Sequence, residues 1–337
     1  MSGSANTPLI DVKDLTIRLN TSRGAAQAVR KVSFSLQRGE TLGLVGESGC
    51  GKSVTALALM GLLPDSAVVS GSIRLDGSEL VGLPDADYCR LRGNRISMIF
   101  QEPMTALNPM HTVGRQVAEP LRRHKDLSAA EARKETIALL DRVGLPDAAR
   151  RVDAYPHQFS GGQRQRITIA MALACQPDVL IADEPTTALD VTIQGQILDL
   201  IADLTAERGM AMILISHDLG VIAENVQRMM VMYGGTVVES GPTAEVFARM
   251  GHPYTQGLFR ARPRLGARKG TRLKTIAGTV PELADLPAGC AFADRCAIVE
   301  SRCRTALPPA IAVGEAHQVR CLRTDVAMAD AVRALGG

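Results

Sequence analysis

Gly46-Glu47-Ser48-Gly49-Cys50-Gly51-Lys52-Ser53 is the stretch on which the reading of the chain turns. Four spacers separate its first glycine from Gly-Lys-Ser, which is the P-loop spacing. The run before it, Thr41-Leu42-Gly43-Leu44-Val45, is short and apolar and reads as a buried parallel strand. The run after it, Val54 to Leu63, reads as a helix stopped by Pro64. Strand, glycine loop and helix form the context in which such a loop cradles phosphate. The glycines let the backbone close around a phosphate chain with no Cβ in the way. Successive N–H groups make an anion nest, and the helix N-terminus adds positive potential. Lys52 supplies a point charge for β- and γ-phosphates, and Ser53 a hydroxyl for Mg²⁺.

Upstream, Ile10 to Leu19 and Ala28 to Leu36 read as strands, and Arg38-Gly39-Glu40 as the turn feeding the glycine loop's strand. Downstream, Ser72 to Gly77 reads as a strand ending in an Asp-Gly turn. Ile96 to Phe100 reads as a buried strand that delivers Gln101 at its tip. From Pro103 to about Phe159 loops and helices dominate. They include a helix over Ser128 to Val143, opened by Ser128 and Glu131 at capping-box spacing. This stretch reads as a helical insertion in an α/β core. The core resumes at Ser160-Gly161-Gly162-Gln163, which opens a helix to about Cys175. Val179 to Ala182 is a strand ending in Asp183-Glu184, and Ile193, Ile197, Leu200, Ile201 and Leu204 mark one face of the next helix. Met212 to Ser216 is a further strand presenting His217, and Gly234-Gly235 joins two apolar runs as a hairpin would.

A chain of 337 residues with 46% hydrophobic and 22% charged residues has the composition of a globular protein, with two domains expected. A net charge of +3 excludes a molecule that binds nucleic acid through its overall field. No apolar run approaches the roughly 20 residues of a membrane helix. Met1 to Asn6 lacks the basic start and apolar block of a signal peptide, so a cytosolic chain reaching the membrane through a partner is expected. From about residue 251 the composition shifts toward Pro, Arg and Cys, placing a boundary there. Four of the cysteines, Cys290, Cys296, Cys303 and Cys321, crowd this end, which in a cytosolic chain points to a metal before disulfides. Four thiolates can close a tetrahedral Zn²⁺ site or hold a four-iron, four-sulfur cluster, and the C-x₂-C knuckles of a zinc ribbon are missing.

The polar residues at strand ends form a candidate catalytic set. Asp183 can hold Mg²⁺, and Glu184 can polarise an attacking water as general base. Gln101 can reach metal and water, and His217 can donate to a γ-phosphate. Phe159-Ser160-Gly161-Gly162-Gln163, lying between the glycine loop and Asp183-Glu184, resembles the signature of ABC ATPases, with Phe159 where Leu is more usual. The resemblance implies a P-loop ABC ATPase: an α/β RecA-like core, an antiparallel β subdomain and a helical subdomain near 103–175. It implies that Ser160, Gly161, Gly162 and Gln163 face the nucleotide of a second ATPase subunit, and that Ala188-Leu189-Asp190 is a D-loop at that interface. Gly46 to Ser53, Gln101 and Asp183 then bind MgATP. One departure is the base contact: no aromatic residue lies between residues 1 and 33, where the family's adenine-stacking ring is expected near Leu19.

Gln101 to Pro109, His252-Pro253-Tyr254-Thr255, Ile276 to Pro281 and the four cysteines resemble the dipeptide, oligopeptide and nickel importer branch of that family. This implies ATP hydrolysis that powers import of peptides, or of nickel or another small solute, by a peripheral subunit on the cytoplasmic side of the cell membrane. Implied partners are a related but different ATPase chain, two permease subunits and, indirectly, a solute-binding protein, with no nucleic acid. The branch also favours a 4Fe-4S cluster at the four cysteines, with zinc as the alternative and His317 as a fifth candidate beside or outside it. The division expected is a nucleotide-binding domain over 1–250 and a small Cys-rich extension over 251–337. Arg260 to Lys274 holds seven basic residues and no acidic one and reads as a solvated linker first, a contact with anionic lipid headgroups second and a nucleic-acid contact third. The rival class is a soluble ABC ATPase acting on DNA or ribosomes; a third reading, a cysteine-ligated nucleic-acid module fused to an ATPase, would show steep salt dependence of nucleic-acid binding.

Overall fold

A computed structural model describes residues 7–187, 189–261 and 275–335. In chain order the elements are β1 (Ile10–Thr21), β2 (Gly24–Leu36), β3 (Thr41–Val45), α1 (Lys52–Leu59), β4 (Val68–Leu75), β5 (Ser78–Glu79), α2 (Asp85–Leu91) and β6 (Ile96–Ile99). Helices α3 (Pro103–Ala106), α4 (Val113–His124), α5 (Ala129–Arg142), α6 (Ala148–Arg151) and α7 (Gly161–Leu173) follow. Then come β7 (Val179–Asp183), α8 (Val191–Arg208), β8 (Ala211–Ser216), α9 (Leu219–Asn225), β9 (Arg228–Tyr233), β10 (Thr236–Pro242), α10 (Thr243–Arg249) and α11 (Pro253–Ala261). The C-terminal part adds β11 (Ile311–Ala312), β12 (Gln318–Val319) and α12 (Thr324–Leu335).

The contacts group into two units. The first comprises the N-terminal residues to Leu9, Leu36–Glu40 and Gly82–Leu214. Its parallel strands β6 and β7 pair in register from Ile96–Val179 to Ile99–Ala182, and both are buried along their whole length. Burial on both faces is why these runs are continuously apolar instead of alternating. The helical insertion packs its own small core: Leu121, Ala132, Ala174 and Cys175 are buried together, with Ala118, Leu127 and Leu139 against them. Helix α5 starts as its sequence predicts. Ser128 accepts from the Glu131 amide while the Glu131 side chain accepts from the Ser128 amide.

The second unit comprises Ile10–Ser35, Thr41–Val81 and Ile215–Gly337. One sheet runs in the order β2-β1-β4-β5, with β4 turning into β5 through Asp76 and Gly77, both at positive φ. That is the hairpin chemistry expected of Asp-Gly. In the other, β3 pairs parallel with β9, and β10, β12 and β11 continue antiparallel. Gly43 lets α9 lie directly on β3: a Cβ there would stand 2.9 Å from Ile222 Cγ2.

Two boundaries differ from expectation. Helix α1 begins at Lys52, two residues early, and ends at Leu59, well short of Pro64. Its stop is Gly61 at φ +61, which lets the Leu62 amide donate back to the Leu57 carbonyl. A left-handed glycine satisfies the final carbonyls before proline is needed. Strand β2 begins at Gly24, four residues before the expected start; of the added residues Gly24, Ala25 and Gln27 are exposed and only the small Ala26 is buried, which leaves little apolar alternation to read. Ala188 of the expected D-loop and most of the basic segment, residues 262–274, lie outside the described residues.

Candidate functional site

In the second unit the glycine loop is built against its surroundings. Gly51 caps α1 at φ +100, and a Cβ on it would stand 2.7 Å from the Ala28 carbonyl oxygen. A Cβ on Gly46 would run into the Met232 carbonyl. Lys52 is 5% exposed, and its ammonium donates to the Gly46 carbonyl at 2.7 Å and the Glu47 carbonyl at 3.2 Å. The cation is therefore folded back over the loop. Cys50 is buried beside it, and burial raises its thiol pKa. His217, in the same unit, follows the last residue of β8 and is exposed.

The first unit carries the other candidates. Asp183 ends β7 and is 4% exposed. Glu184 follows at φ +45, a left-handed conformation unusual outside glycine. That backbone turn swings its carboxylate out of the strand, where it accepts from Gln101 Nε2 at 3.3 Å and from Thr187 Oγ1 at 3.1 Å. Two residues from distant parts of the sequence thus meet at one carboxylate.

Ser160 is the N-cap of α7. Its hydroxyl accepts from the Gln163 amide, and the Gln163 side chain accepts from the Ser160 amide. The pair is a capping box that the sequence reading missed, although Ser-x-x-Gln is its signature. Phe159 is buried with the Arg151 guanidinium 4.2 Å from its ring centroid. A cation over an aromatic face accounts for Phe in place of Leu. Ser160 and Gly161 are exposed.

The cysteine region belongs to the second unit. Cys290, Cys296, Cys303 and Cys321 line one pocket with His252, Phe292 and Arg323 among its other walls. The Cys290 amide donates to the Cys303 carbonyl at 2.8 Å, joining two of the four segments. Burial pushes the Cys321 thiol up to about 11, and burial followed by neighbouring thiols raises Cys290 and Cys296. Among the described residues, no group of three or more His, Cys, Asp or Glu is arranged so that it could hold a metal ion as it stands. The four cysteines share a pocket without forming such a group.

His317 is neither at this pocket's wall nor at the surface. It is fully buried, with Nε2 2.8 Å from Glu239 Oε1. Glu239, itself 1% exposed, also accepts from the Gly251 and His252 amides. The carboxylate needs buried donors once β10 is covered, and His317 on the turn before β12 supplies one.

Two residues near the glycine loop escaped the sequence reading. Tyr254 of α11 is fully buried, and its hydroxyl accepts from the Glu47 amide at 2.7 Å. Arg295 makes a two-pronged ion pair with the Glu47 carboxylate, at 2.7 and 3.1 Å. Burial acts against the Arg295 charge, but hydrogen bonds to Glu47 and Tyr233 leave its pKa raised. An acidic residue inside a phosphate loop is a signal that a compensating cation must exist; which cation it is depends on the fold.

Comparison with known proteins fits this arrangement. The family described as "ABC transporter" matches residues 29–187, and "Oligopeptide/dipeptide transporter, C-terminal region" matches residues 238–303. A peptide import ATP-binding protein of Brucella ovis is 52% identical over 328 residues, covering 94% of this chain and 97% of that protein. The chain belongs to the ABC transporter ATPases, in the oligopeptide and dipeptide importer family. The dipeptide transport ATP-binding protein DppD of Bacillus subtilis is 49% identical over 319 residues, covering 94% of this chain and 95% of DppD. Among solved structures, the dimeric ATP-binding cassette MJ0796 bound to ADP and Pi aligns at a TM-score of 0.63 and 28% identity. It covers 69% of this chain and 98% of its own. The chain is thus an ATPase with the ABC cassette fold. Among the described residues no helix is long and apolar enough to cross a membrane.

Proposed function

We propose that this chain hydrolyses ATP to drive peptide import, as one ATPase of a pair docked on two permease subunits at the cytoplasmic face of the cell membrane. Near-complete coverage of relatives named for peptide import, together with the C-terminal family match, carries this reading. The nucleotide-binding domain spans about 1–250, with a helical subdomain near 103–175, and the extension spans 251–337.

In this reading the loop Gly46 to Ser53 binds the phosphates. Lys52 leaves its present carbonyl partners for the β- and γ-phosphates, exchanging neutral acceptors for charged ones. Ser53, Gln101 and Asp183 serve Mg²⁺. Glu184 takes the proton of the attacking water, and Gln101 and Thr187 orient its carboxylate beforehand. His217 donates to the γ-phosphate. Ser160, Gly161 and Gly162 offer amides and a hydroxyl at a helix N-terminus to the nucleotide held by the partner ATPase, and Gln163 holds the Ser160 cap. A dimeric relative, MJ0796, supports the pairing.

Cys290, Cys296, Cys303 and Cys321 are assigned to a 4Fe-4S cluster. Their shared pocket and their spacing support this; loading requires the sulfurs to draw together and to release their protons. The role is structural, joining segments that have few large apolar side chains between them.

The test is reconstitution of the chain with its permeases in vesicles. ATP-dependent peptide uptake that stops with Glu184→Gln is expected. Hydrolysis that no permease stimulates and no peptide follows would overturn the reading. Iron and sulfide in about a four-to-four ratio after anaerobic purification is expected, and one zinc in their place would overturn the cluster assignment.

A further inference from the structure

Glu47 is the second residue of the phosphate loop, and every polar group it has is engaged. Its amide donates to Tyr254 Oη at 2.7 Å, its carbonyl accepts from Lys52 at 3.2 Å, and its carboxylate receives both prongs of Arg295. Arg295 lies next to Cys296 in the C-terminal region, some 248 residues further along the chain. Its side chain is 5% exposed and that of Glu47 30%. The guanidinium is itself held from behind, by the Ala277 carbonyl at 2.9 Å, the Ile276 carbonyl at 3.3 Å and Tyr233 Oη at 3.3 Å. The rings of Tyr233 and Phe292 flank it at 5.7 and 5.8 Å. All of these contacts hold Arg295 against the loop read as the phosphate site.

A carboxylate in a loop meant for a triphosphate presents a problem. Left alone it would repel the ligand in a partly desolvated place, where charges are poorly screened. It would also be free to swing, loosening the amides that form the anion nest. We propose that Arg295 is a positioning residue for the phosphate loop: by neutralising and fixing Glu47, it makes nucleotide affinity depend on the C-terminal region. The inference rests on the reading of Gly46 to Ser53 as the nucleotide loop. It assigns that region a part in ATP binding beyond a structural one. Tyr254 is the second anchor, fixing the Glu47 amide from α11.

The test is titration calorimetry of the full chain with ATP and, separately, ADP, both with Mg²⁺. Parent protein that binds neither would sink the nucleotide reading itself and is thereby separated from failure of this inference. With the parent binding, Arg295→Ala is expected to raise the Kd for ATP about tenfold or more, and that for ADP less, since ADP carries one negative charge fewer. Adding Glu47→Gln to Arg295→Ala removes the stranded carboxylate and is expected to bring the Kd for ATP back to within about threefold of the parent. Arg295→Lys keeps the charge but loses the second prong, and its Kd falls between the two. Circular dichroism melts establish that each variant is folded. Parent-like ATP affinity in folded Arg295→Ala would overturn the proposal. So would an equal loss for ATP and ADP that Glu47→Gln does not repair, because that pattern belongs to a general weakening of the fold.

Discussion

Two glycine-containing loops of this protein both open helices, yet their glycines answer to different demands. In the phosphate loop, Gly51 sits at φ +100 with the Ala28 carbonyl against it, and Gly46 abuts the Met232 carbonyl. The chain's own packing leaves no room for a side chain. At the start of α7, Gly161 and Gly162 are ordinary helical residues. A Cβ on Gly161 would meet nothing nearer than Leu189 Cδ2 at 3.9 Å, and one on Gly162 would meet Ile193 Cγ2 at 3.1 Å. Glycine inside a helix costs roughly 0.5–1 kcal/mol relative to alanine. Nothing in the chain asks for it at Gly161, and the residue is exposed. The difference teaches that Gly46 and Gly51 are required by the packing of the chain itself, while Gly161 is not, which fits the proposed role of the α7 start as a surface for a partner's nucleotide.

The largest test of this contrast is a matched pair of variants. Gly51→Ala should abolish ATP binding and lower the melting temperature by several degrees, through strained φ and the clash with Ala28. Gly161→Ala should leave ATP binding of the isolated chain unchanged and melting equal or slightly higher, yet reduce turnover of the assembled pair by about a hundredfold. If Gly161→Ala melts the chain as Gly51→Ala does, the contrast collapses.

Glu184→Gln sharpens it next. The left-handed turn at Glu184 and its bonds to Gln101 and Thr187 are compatible with an amide. Stability and nucleotide binding should therefore persist, while turnover falls about 10²- to 10⁴-fold. Hydrolysis at the parent rate would remove Glu184 as general base.

Acid should act on the unit that holds the phosphate loop. Burial lowers His252 to about 4 from its ordinary 6.5, so the folded chain keeps it neutral. Its Nδ1 accepts from the Tyr254 amide, and Tyr254 in turn holds Glu47. The unfolded chain takes up the proton first. Stability is therefore complete above about pH 6.5 and is lost as pH falls toward 4, by up to a few kcal/mol. Urea melts at pH 7, 5.5 and 4.5 measure it. His252→Asn, which keeps an acceptor without a titratable ring, should flatten the dependence, and an unchanged slope would assign the effect elsewhere.

The smallest expected effect is at Ser160. Ser160→Ala removes half of the capping box and should cost about 1 kcal/mol of stability. Ser160→Asp retains a cap but adds a charge where the proposed function places a phosphate, so it should preserve melting and impair turnover. Parent-like turnover of Ser160→Asp in the assembled pair would mean that the hydroxyl serves its own helix alone.

Local pattern carried much of the fold. Strand β3 is legible because a strand buried on both faces must be apolar throughout, and the Gly234-Gly235 turn because two consecutive positive φ angles favour glycine. The Ser128–Glu131 cap is legible for the same reason: its partners are three residues apart. Candidate residues could be named where a motif is contiguous, and contacts went unread where partners come from remote segments. His317 was read as peripheral because nothing local announces Glu239 as its partner. Tyr254 was legible only as part of His252-Pro253-Tyr254-Thr255, and nothing local ties it or Arg295 to Glu47.

The sequence by itself determined the elements whose cause is local: the glycine loop with its strand and helix, the capped helices, the order of the polar residues at strand ends, and through them the family. Tertiary structure alone decided which side chains complete each other over long separations. It brought Gln101 to Glu184, His317 to Glu239, four cysteines to one pocket, and Arg295 with Tyr254 to the phosphate loop. The reason is physical. A backbone conformation is set by sterics and hydrogen bonds within a few residues, whereas a buried charge is stabilised by whichever opposite charge the packed chain delivers beside it.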